Sequence, residues 1–363
     1  MRIMHVEAGR YLYGGARQVC YLIEGLEAEG FENLLVSARG SEIAGAVRGA
    51  TVVELPMGGD LDVFWAGPLR KLIEAHAPDI VHVHSRRGAD LVGGRCARRA
   101  GVPAVLTRRV DNREPAWWAR LKYRPFSVVA AISSAVESEL VNHVGLDPAR
   151  VVRIASAVDS GRYRPESAAR DRLAEAFGIP AAAIVVGVVA QLIPRKGHAL
   201  LLDCMPEVVA RHPEVRLLCF GRGPRERALS RQIAERGLGD HVWLAGFRDD
   251  LAELMPGLDL LVHPALREGL GVAVLEAMSA GVAVVASDAG GIPDIIEHEG
   301  SGLLFAAGDP HALRDGVLRM LGDEALRLRL ARAGRERVNA RFSVRRMSRR
   351  YAEVYNRVLS ARS

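Results

Sequence analysis

The sequence predicts an α/β protein built from two doubly wound parallel-sheet domains that face each other across a cleft. Three observations carry this reading. Short β-branched runs alternate from end to end with amphipathic segments of roughly 10–15 residues, the pattern of parallel strands covered by helices. The 363 residues exceed what a single hydrophobic core usually organises. Strand signals stop near Arg164-Pro165-Glu166-Ser167, and a polar stretch separates them from the next β-run. The break therefore divides residues 1–164 from residues 165–341.

In the first domain the strands are expected at Ile3–Glu7, Asn33–Ser37, Val52–Leu55, Ile80–His84, Ala104–Thr107, Val128–Ile132 and Val151–Ile154. In the second they are expected at Ile184–Ala190, Val215–Phe220, Val242–Ala245, Leu258–His263, Val282–Ser287 and Leu303–Phe305. Asp309-Pro310 reads as an N-cap with proline at the first helical position, and Asp323 to Leu359 then reads as almost continuous, Arg-rich helix.

Composition excludes several function classes. An apolar content of 49% with 25% charged residues is that of a globular chain, not a disordered one. The net charge of +6 suits an anionic small ligand or a membrane surface and is too diffuse for nucleic acid. Almost all of the basic charge is arginine, since Lys71, Lys122 and Lys196 are the only lysines. Cys20, Cys96, Cys204 and Cys219 are far apart and form no metal-ligand cluster, as expected of reduced thiols in a cytoplasmic protein. The start, Met1 to Glu7, does not read as a signal peptide, and no apolar stretch is long enough to span a bilayer.

In doubly wound sheets ligands bind beyond the carboxyl ends of the strands, so the loops there hold the candidates. The first strand runs into Ala8 to Arg17, where Gly14 and Gly15 let backbone amides at a helix start approach an anion, or simply form a tight turn. The spacing is not GxGxxG, which counts against a nicotinamide enzyme. In the second domain the first strand ends in Gln191-Leu192-Ile193-Pro194-Arg195-Lys196-Gly197, two adjacent cations closed by glycine, which suits a diphosphate. After Leu258–His263 comes Glu268-Gly269-Leu270-Gly271, and Glu276 follows in an apolar helix. A carboxylate in that setting needs hydrogen-bond donors, which sugar or ribose hydroxyls supply and a neighbouring arginine would also supply.

These residues resemble the donor site of the retaining glycosyltransferases of family 4, which have the GT-B fold of two Rossmann-like domains. The E-x7-E spacing of Glu268 and Glu276, the Lys196-Gly197 turn, the Gly14-Gly15 pair, Phe220 to Pro224 and Asp288 to Asp294 match in order, over essentially the whole chain. The resemblance implies transfer of a sugar from a nucleoside diphosphate sugar, UDP-sugar before GDP-sugar, with retention of anomeric configuration and without a metal or other cofactor. It assigns Glu276 to the ribose, Glu268 to the donor sugar, Lys196 to the diphosphate, Gly269 to Gly271 to backbone contacts and Phe247 to the surroundings of the base. The last helix, about 342–363, would cross back to complete the first, acceptor-side domain. Lys196, Glu268 and Arg109 are the expected catalytic residues, and His84, Arg108, Arg109 and Asp111 line the acceptor side.

Three departures stand out. Gln191 occupies a slot where the family often has arginine, and Arg195 compensates. Thr107-Arg108-Arg109 stands where T-x-H is frequent, so Arg109 stabilises leaving-group charge but cannot relay a proton. Ser156-Ala157 replaces the usual Asn-Gly before the hinge.

Asp60-Leu61-Asp62 is a DxD string that reads better as a polar turn than as a metal site. His82 and His84 alternate on one strand face but lack a third ligand, so they read as packed residues. Arg113 to Arg124 combines Trp117-Trp118 with basic residues, which fits either an anionic membrane surface serving a lipid-linked acceptor or a helix with its tryptophans in the core. The expected acceptor is a cell-envelope or surface glycan such as lipopolysaccharide, exopolysaccharide or a lipid-linked saccharide, reached at the inner face of the cytoplasmic membrane. Two other readings are a nucleotide-sugar epimerase of the same fold, which requires acid/base pairs beside the sugar, and a non-catalytic sugar-nucleotide binding protein.

Overall fold

The computed structural model describes residues 1–58, 62–84, 88–109 and 113–361. Asp60, Asp111 and the last two residues of the expected terminal helix lie outside them. The chain divides into two compact units, residues 1–157 with 344–363 and residues 158–343.

Unit 1 holds seven strands: β1 (Arg2–Glu7), β2 (Glu32–Ala38), β3 (Thr51–Leu55), β4 (Ile80–Val83), β5 (Ala104–Arg108), β6 (Val128–Ala131) and β7 (Val151–Arg153). They form one sheet in the order β3-β2-β1-β4-β5-β6-β7, and every pairing is parallel. Unit 2 holds β8 (Ile184–Val189), β9 (Val215–Phe220), β10 (Val242–Gly246), β11 (Leu260–His263), β12 (Ala283–Ser287) and β13 (Leu303–Phe305). Its order, β10-β9-β8-β11-β12-β13, is again parallel throughout. Each expected strand is present, with ends displaced by up to two residues. The largest displacement is at β11, which starts at Leu260 because Met255–Gly257 forms a tight 3-10 turn.

In both sheets the strand order reverses between the first strand and its neighbour, β1 against β4 and β8 against β11. The connections leave those pairs toward opposite sheet faces, which opens a crevice at their carboxyl ends. The inner strands are buried on both faces, as helix-covered parallel strands must be, while the edge strands β3, β7 and β10 are partly exposed.

The tail departs from the continuous helix expected. It breaks at Phe342-Ser343 into Glu324–Arg341 and Val344–Ser360, because the Phe342 carbonyl leaves the helical ladder to accept from the Val158 amide at 2.9 Å. Asp309 caps the preceding helix as its spacing predicts, accepting from His311 and Ala312 at 2.9 and 3.0 Å. Val344–Ser360 buries Met347, Tyr351, Val354, Tyr355 and Val358, spaced along one helical face, in the core of unit 1 against Ile3, Leu22 and Leu26. Its backbone comes close to the helix Gly14–Glu27 at Gly25, where a β-carbon would sit 2.7 Å from that of Ser348.

Gly25→Leu is therefore expected to overpack this contact and destabilise unit 1 by about 1–3 kcal/mol. Urea unfolding of a Trp243→Phe background, which keeps tryptophan only in unit 1, measures it.

Candidate functional site

The crevice of unit 2 is lined by the loops after β8 and β11. After β8 the chain passes exposed Gln191, makes a 3-10 turn at Pro194–Lys196 and enters the helix His198–Arg211 through Gly197. Gly197 has φ +72°, and a β-carbon there would lie 1.8 Å from the Pro264 carbonyl oxygen, so glycine is required for the two loops to touch. The contact brings together residues 72 apart: Lys196 Nζ donates to Glu268 Oε2 at 2.5 Å. His263, the last residue of β11, donates from Nε2 to the same oxygen at 2.8 Å, and the Gly269 amide donates to Oε1 at 3.1 Å. Burial pushes the Glu268 carboxyl up, but the His263 hydrogen bond and the Lys196 charge outweigh it and hold the group below the ordinary carboxylate range. Glu268 is thus an anchored, charged acceptor for ligand hydroxyls. Lys196, with three N–H donors and one spent on Glu268, keeps two for phosphate oxygens.

The helix Val272–Ser279 starts at Gly271, φ +105°, with no capping side chain and no acid in its first turn, so its amide end suits an anion. Leu270 is buried, and Glu276 is 8% exposed inside this helix. Gly290 admits the Glu268 carbonyl, which a β-carbon would meet at 1.7 Å. Arg195 donates to the Arg267 carbonyl at 3.3 Å, which lays its guanidinium along the same loop pair. Phe247 is 46% exposed after β10, with the Arg222 guanidinium 4.9 Å from its ring centre.

Unit 1 places Gly14 and Gly15 at the exposed, uncapped start of the helix Gly14–Glu27. Arg109, just past β5, lies over it, its Cδ 3.7 Å from where a Gly15 β-carbon would be. Arg109 Nε and Nη2 are buried and have no hydrogen-bond partner among the described residues, and burial lowers the guanidinium pKa from its ordinary value. Arg108 is buried at the end of β5. Thr107 serves as a tie instead, bonding His82 Nε2 and the Tyr351 hydroxyl, both at 2.8 Å.

His84 follows β4 and is buried. The third imidazole that the sequence lacked beside His82 and His84 comes from β1, where His5 pairs in register with His82. Nitrogens of the three lie within 4.8 Å of one another, a spacing that could hold a metal ion. The ring nitrogens are otherwise engaged: His5 with His84 Nε2 and Asn33, His82 with Tyr355 and Thr107. Among the described residues, only His84 Nδ1 of these has no partner. The trio is therefore a hydrogen-bonded network.

Sequence reasoning missed His263, His5 and His198. His198 is buried beside Lys196 with neither ring nitrogen bonded. The only signal for His263 was its position as the last strand residue before Glu268. Asp62 spends its carboxylate on the Gly58 and Phe64 amides, as a turn residue does. Lys122 corrects the basic reading of its segment: it is buried against Asp90 and Glu114 at 2.9 and 2.5 Å, because an unpaired buried ammonium would be costly. Trp117 is 70% exposed and Trp118 half-buried, so the pair is not a core anchor. Among the described residues, no helix is long and apolar enough to cross a membrane.

Comparison with known proteins finds matches over both units. The family described as glycosyl transferases group 1 matches residues 169–337, and glycosyltransferase family 4 matches residues 13–162. A GDP-mannose-dependent alpha-(1-6)-phosphatidylinositol monomannoside mannosyltransferase of Mycobacterium tuberculosis is 30% identical, over 82% of this chain and 79% of that protein. The lipopolysaccharide core biosynthesis mannosyltransferase LpsB of Rhizobium meliloti is 27% identical over 85% of this chain and 91% of its own. The crystal structure of Anabaena Alr3699/HepE in complex with UDP and glucose superposes with a TM-score of 0.86 at 22% identity, covering 98% of this chain and 99% of that one.

The buried histidines make stability pH-dependent. Burial lowers His5 to about 4 and holds His82 and His84 well below the ordinary value of 6.5. Below pH 6.5 the unfolded chain takes up protons that folded unit 1 refuses, so stability is full above 6.5 and falls as pH drops toward 4. The expected loss is about 1.4 kcal/mol per pH unit for each such histidine. Urea unfolding of the Trp243→Phe background across that range reads it, and a flat profile would contradict the neutral network.

Proposed function

The chain belongs to the group 1 glycosyl transferases of family 4, with their GT-B fold of two Rossmann-like units, and from that premise we propose that it moves a sugar from a nucleoside diphosphate sugar to a cell-envelope or surface glycan acceptor with retention of configuration. The observation that carries this reading is the ion pair of Lys196 and Glu268 in the crevice of unit 2. Glu268 takes hydroxyls of the donor sugar, Glu276 those of the ribose, and the uncapped helix start at Gly271 faces the diphosphate.

As the glycosidic bond breaks, charge grows on the departing diphosphate, and Lys196 with Arg195 stabilises it. The acceptor hydroxyl attacks from the face the diphosphate leaves and gives its proton to an oxygen of the departing diphosphate, and no side chain is assigned as covalent nucleophile. The charge is carried by protein cations and amides, so no metal is needed. UDP-sugar is the first donor expected and GDP-sugar the second. HepE was crystallised with UDP and glucose, while the mycobacterial relative is GDP-mannose-dependent. An acceptor carried by lipid is supported by Trp117 and Leu121, four residues apart and both exposed on the helix Ala116–Tyr123, which also exposes Arg120 and is followed by exposed Arg124.

A thermal-shift panel of UDP-, GDP- and ADP-sugars is expected to raise the melting temperature for the true donor class, and no shift with any of them would reject the donor site. With that donor, Lys196→Ala should lower turnover on the order of a hundredfold or more, and a chelator should leave the wild-type rate unchanged. An epimerase of the same fold would instead convert the donor without any acceptor, which product analysis distinguishes. The protein is expected to float with anionic vesicles and Trp117→Ser to float less.

A further inference from the structure

A carboxylate offers about four acceptor positions, two on each oxygen. On Glu268 the protein itself takes three of them. Lys196 and His263 fill both positions on Oε2, and the Gly269 amide takes one on Oε1. Among the described residues nothing occupies the remaining position on Oε1, and the Glu268 side chain is 12% exposed, so a ligand hydroxyl can reach it. Which oxygen stays open is therefore decided by the two groups that hold Oε2, and these differ in kind.

Lys196 reaches Oε2 on a long flexible stem from the 3-10 turn Pro194–Lys196. Its ammonium is also the group that a diphosphate attracts, so its hold on Oε2 slackens when a nucleotide arrives. His263 is the last residue of β11, a strand flanked on both sides by β8 and β12. Its imidazole is 2% exposed, so packing fixes the direction of Nε2, and an ionised carboxylate can only accept, so Nε2 carries a proton. The rest of β11 is Leu260, Leu261 and Val262. A polar ring at the end of that run is costly unless it is hydrogen-bonded. Nδ1 has no partner among the described residues, which leaves the bond to Glu268 as the one the ring makes there.

We propose that His263 is a positioning residue for the donor sugar, holding Glu268 Oε2 from the sheet so that Oε1 stays turned to a sugar hydroxyl while Lys196 shifts toward the diphosphate. The inference rests on the glycosyl-transfer reading for the nature of the ligand. His263 touches neither sugar nor phosphate in this scheme and acts through Glu268 alone. Without the ring, one position on Oε2 is unfilled and the carboxylate can turn about its terminal torsion, so the open acceptor no longer stays in one place. The loss is then confined to the sugar, because Glu268 does not bind the nucleoside or its phosphates.

Calorimetric titration of the full chain with UDP-glucose, UDP-N-acetylglucosamine and GDP-mannose, and with UDP and GDP, tests this. For a sugar nucleotide that binds the wild type, the quantity read is its Kd divided by that of the bare nucleotide. His263→Leu is expected to raise this ratio about tenfold, the weight of one hydrogen bond, while the bare nucleotide changes by less than about twofold. His263→Gln, which returns an N–H near the place of Nε2, should recover most of the ratio. Equal weakening of sugar nucleotide and bare nucleotide is what a merely structural role would give, and it overturns the inference. So does a ratio that His263→Leu leaves unchanged, or one that His263→Gln fails to recover. Should His263→Leu not fold, His263→Asn, whose amide is too short to reach Oε2, is read in its place. A wild-type protein that binds none of the five compounds fails the glycosyl-transfer reading itself. One that binds a sugar nucleotide with a ratio insensitive to His263 keeps that reading and loses only the positioning role.

Discussion

Both candidate sites depend on one topological constraint, the reversal of strand order at the centre of each parallel sheet. Parallel strands cannot be joined by short hairpins, so every connection crosses a face of the sheet, and where the order reverses two neighbouring connections leave toward opposite faces. In unit 2 the pair is β8 and β11, and the loops that leave it hold Lys196 and Glu268. In unit 1 the pair is β1 and β4, and it holds His5, His84 and the glycine-started helix. Glycine at positions 197 and 290 then lets loop backbones meet at distances a side chain would forbid.

Charge is handled differently in the two units. Unit 2 keeps a buried carboxylate ionised by placing an ammonium and an imidazole N–H on one of its oxygens. Unit 1 keeps three imidazoles neutral by burying them, with an amide, two hydroxyls and one another as hydrogen-bond partners. At Lys122 unit 1 buries an ammonium and supplies two carboxylates. The scarcity of lysine becomes intelligible on this basis. Of three lysines, Lys122 and Lys196 are internal ion-pair partners and only Lys71 is exposed on a helix surface. A compact ammonium on a flexible stem can place several donors on carboxylate oxygens within a crowded site.

Much of this was legible in the chain. All thirteen strands could be read from β-branched runs between turn residues, because strands buried on both faces leave a nearly continuous apolar signal. Glu268 and Glu276 were legible because carboxylates are rare among Val, Ala and Leu. Their link to Lys196 was less so, since 72 residues separate the partners. His5 looked like an ordinary residue of a first strand, and nothing local said that β1 would lie beside β4. The break at Phe342-Ser343 was invisible to periodicity, although the resemblance starts the last helix at about 342 and the structure starts it at Val344. Helical propensity there is uninterrupted, and the long-range bond from Val158 decides the matter.

The sequence by itself determined the strand-and-helix alternation, the two-unit division in outline and the residue types available for an anionic, hydroxyl-rich ligand. These follow from periodicity and from the cost of placing charge in apolar surroundings, both of which act over a few residues. Tertiary structure alone decided that Lys196 and His263 share one oxygen of Glu268, and that His5, His82 and His84 meet in one cluster. Those outcomes depend on which strands become neighbours, and in a parallel sheet neighbours are set by crossover connections that a local window of sequence cannot contain.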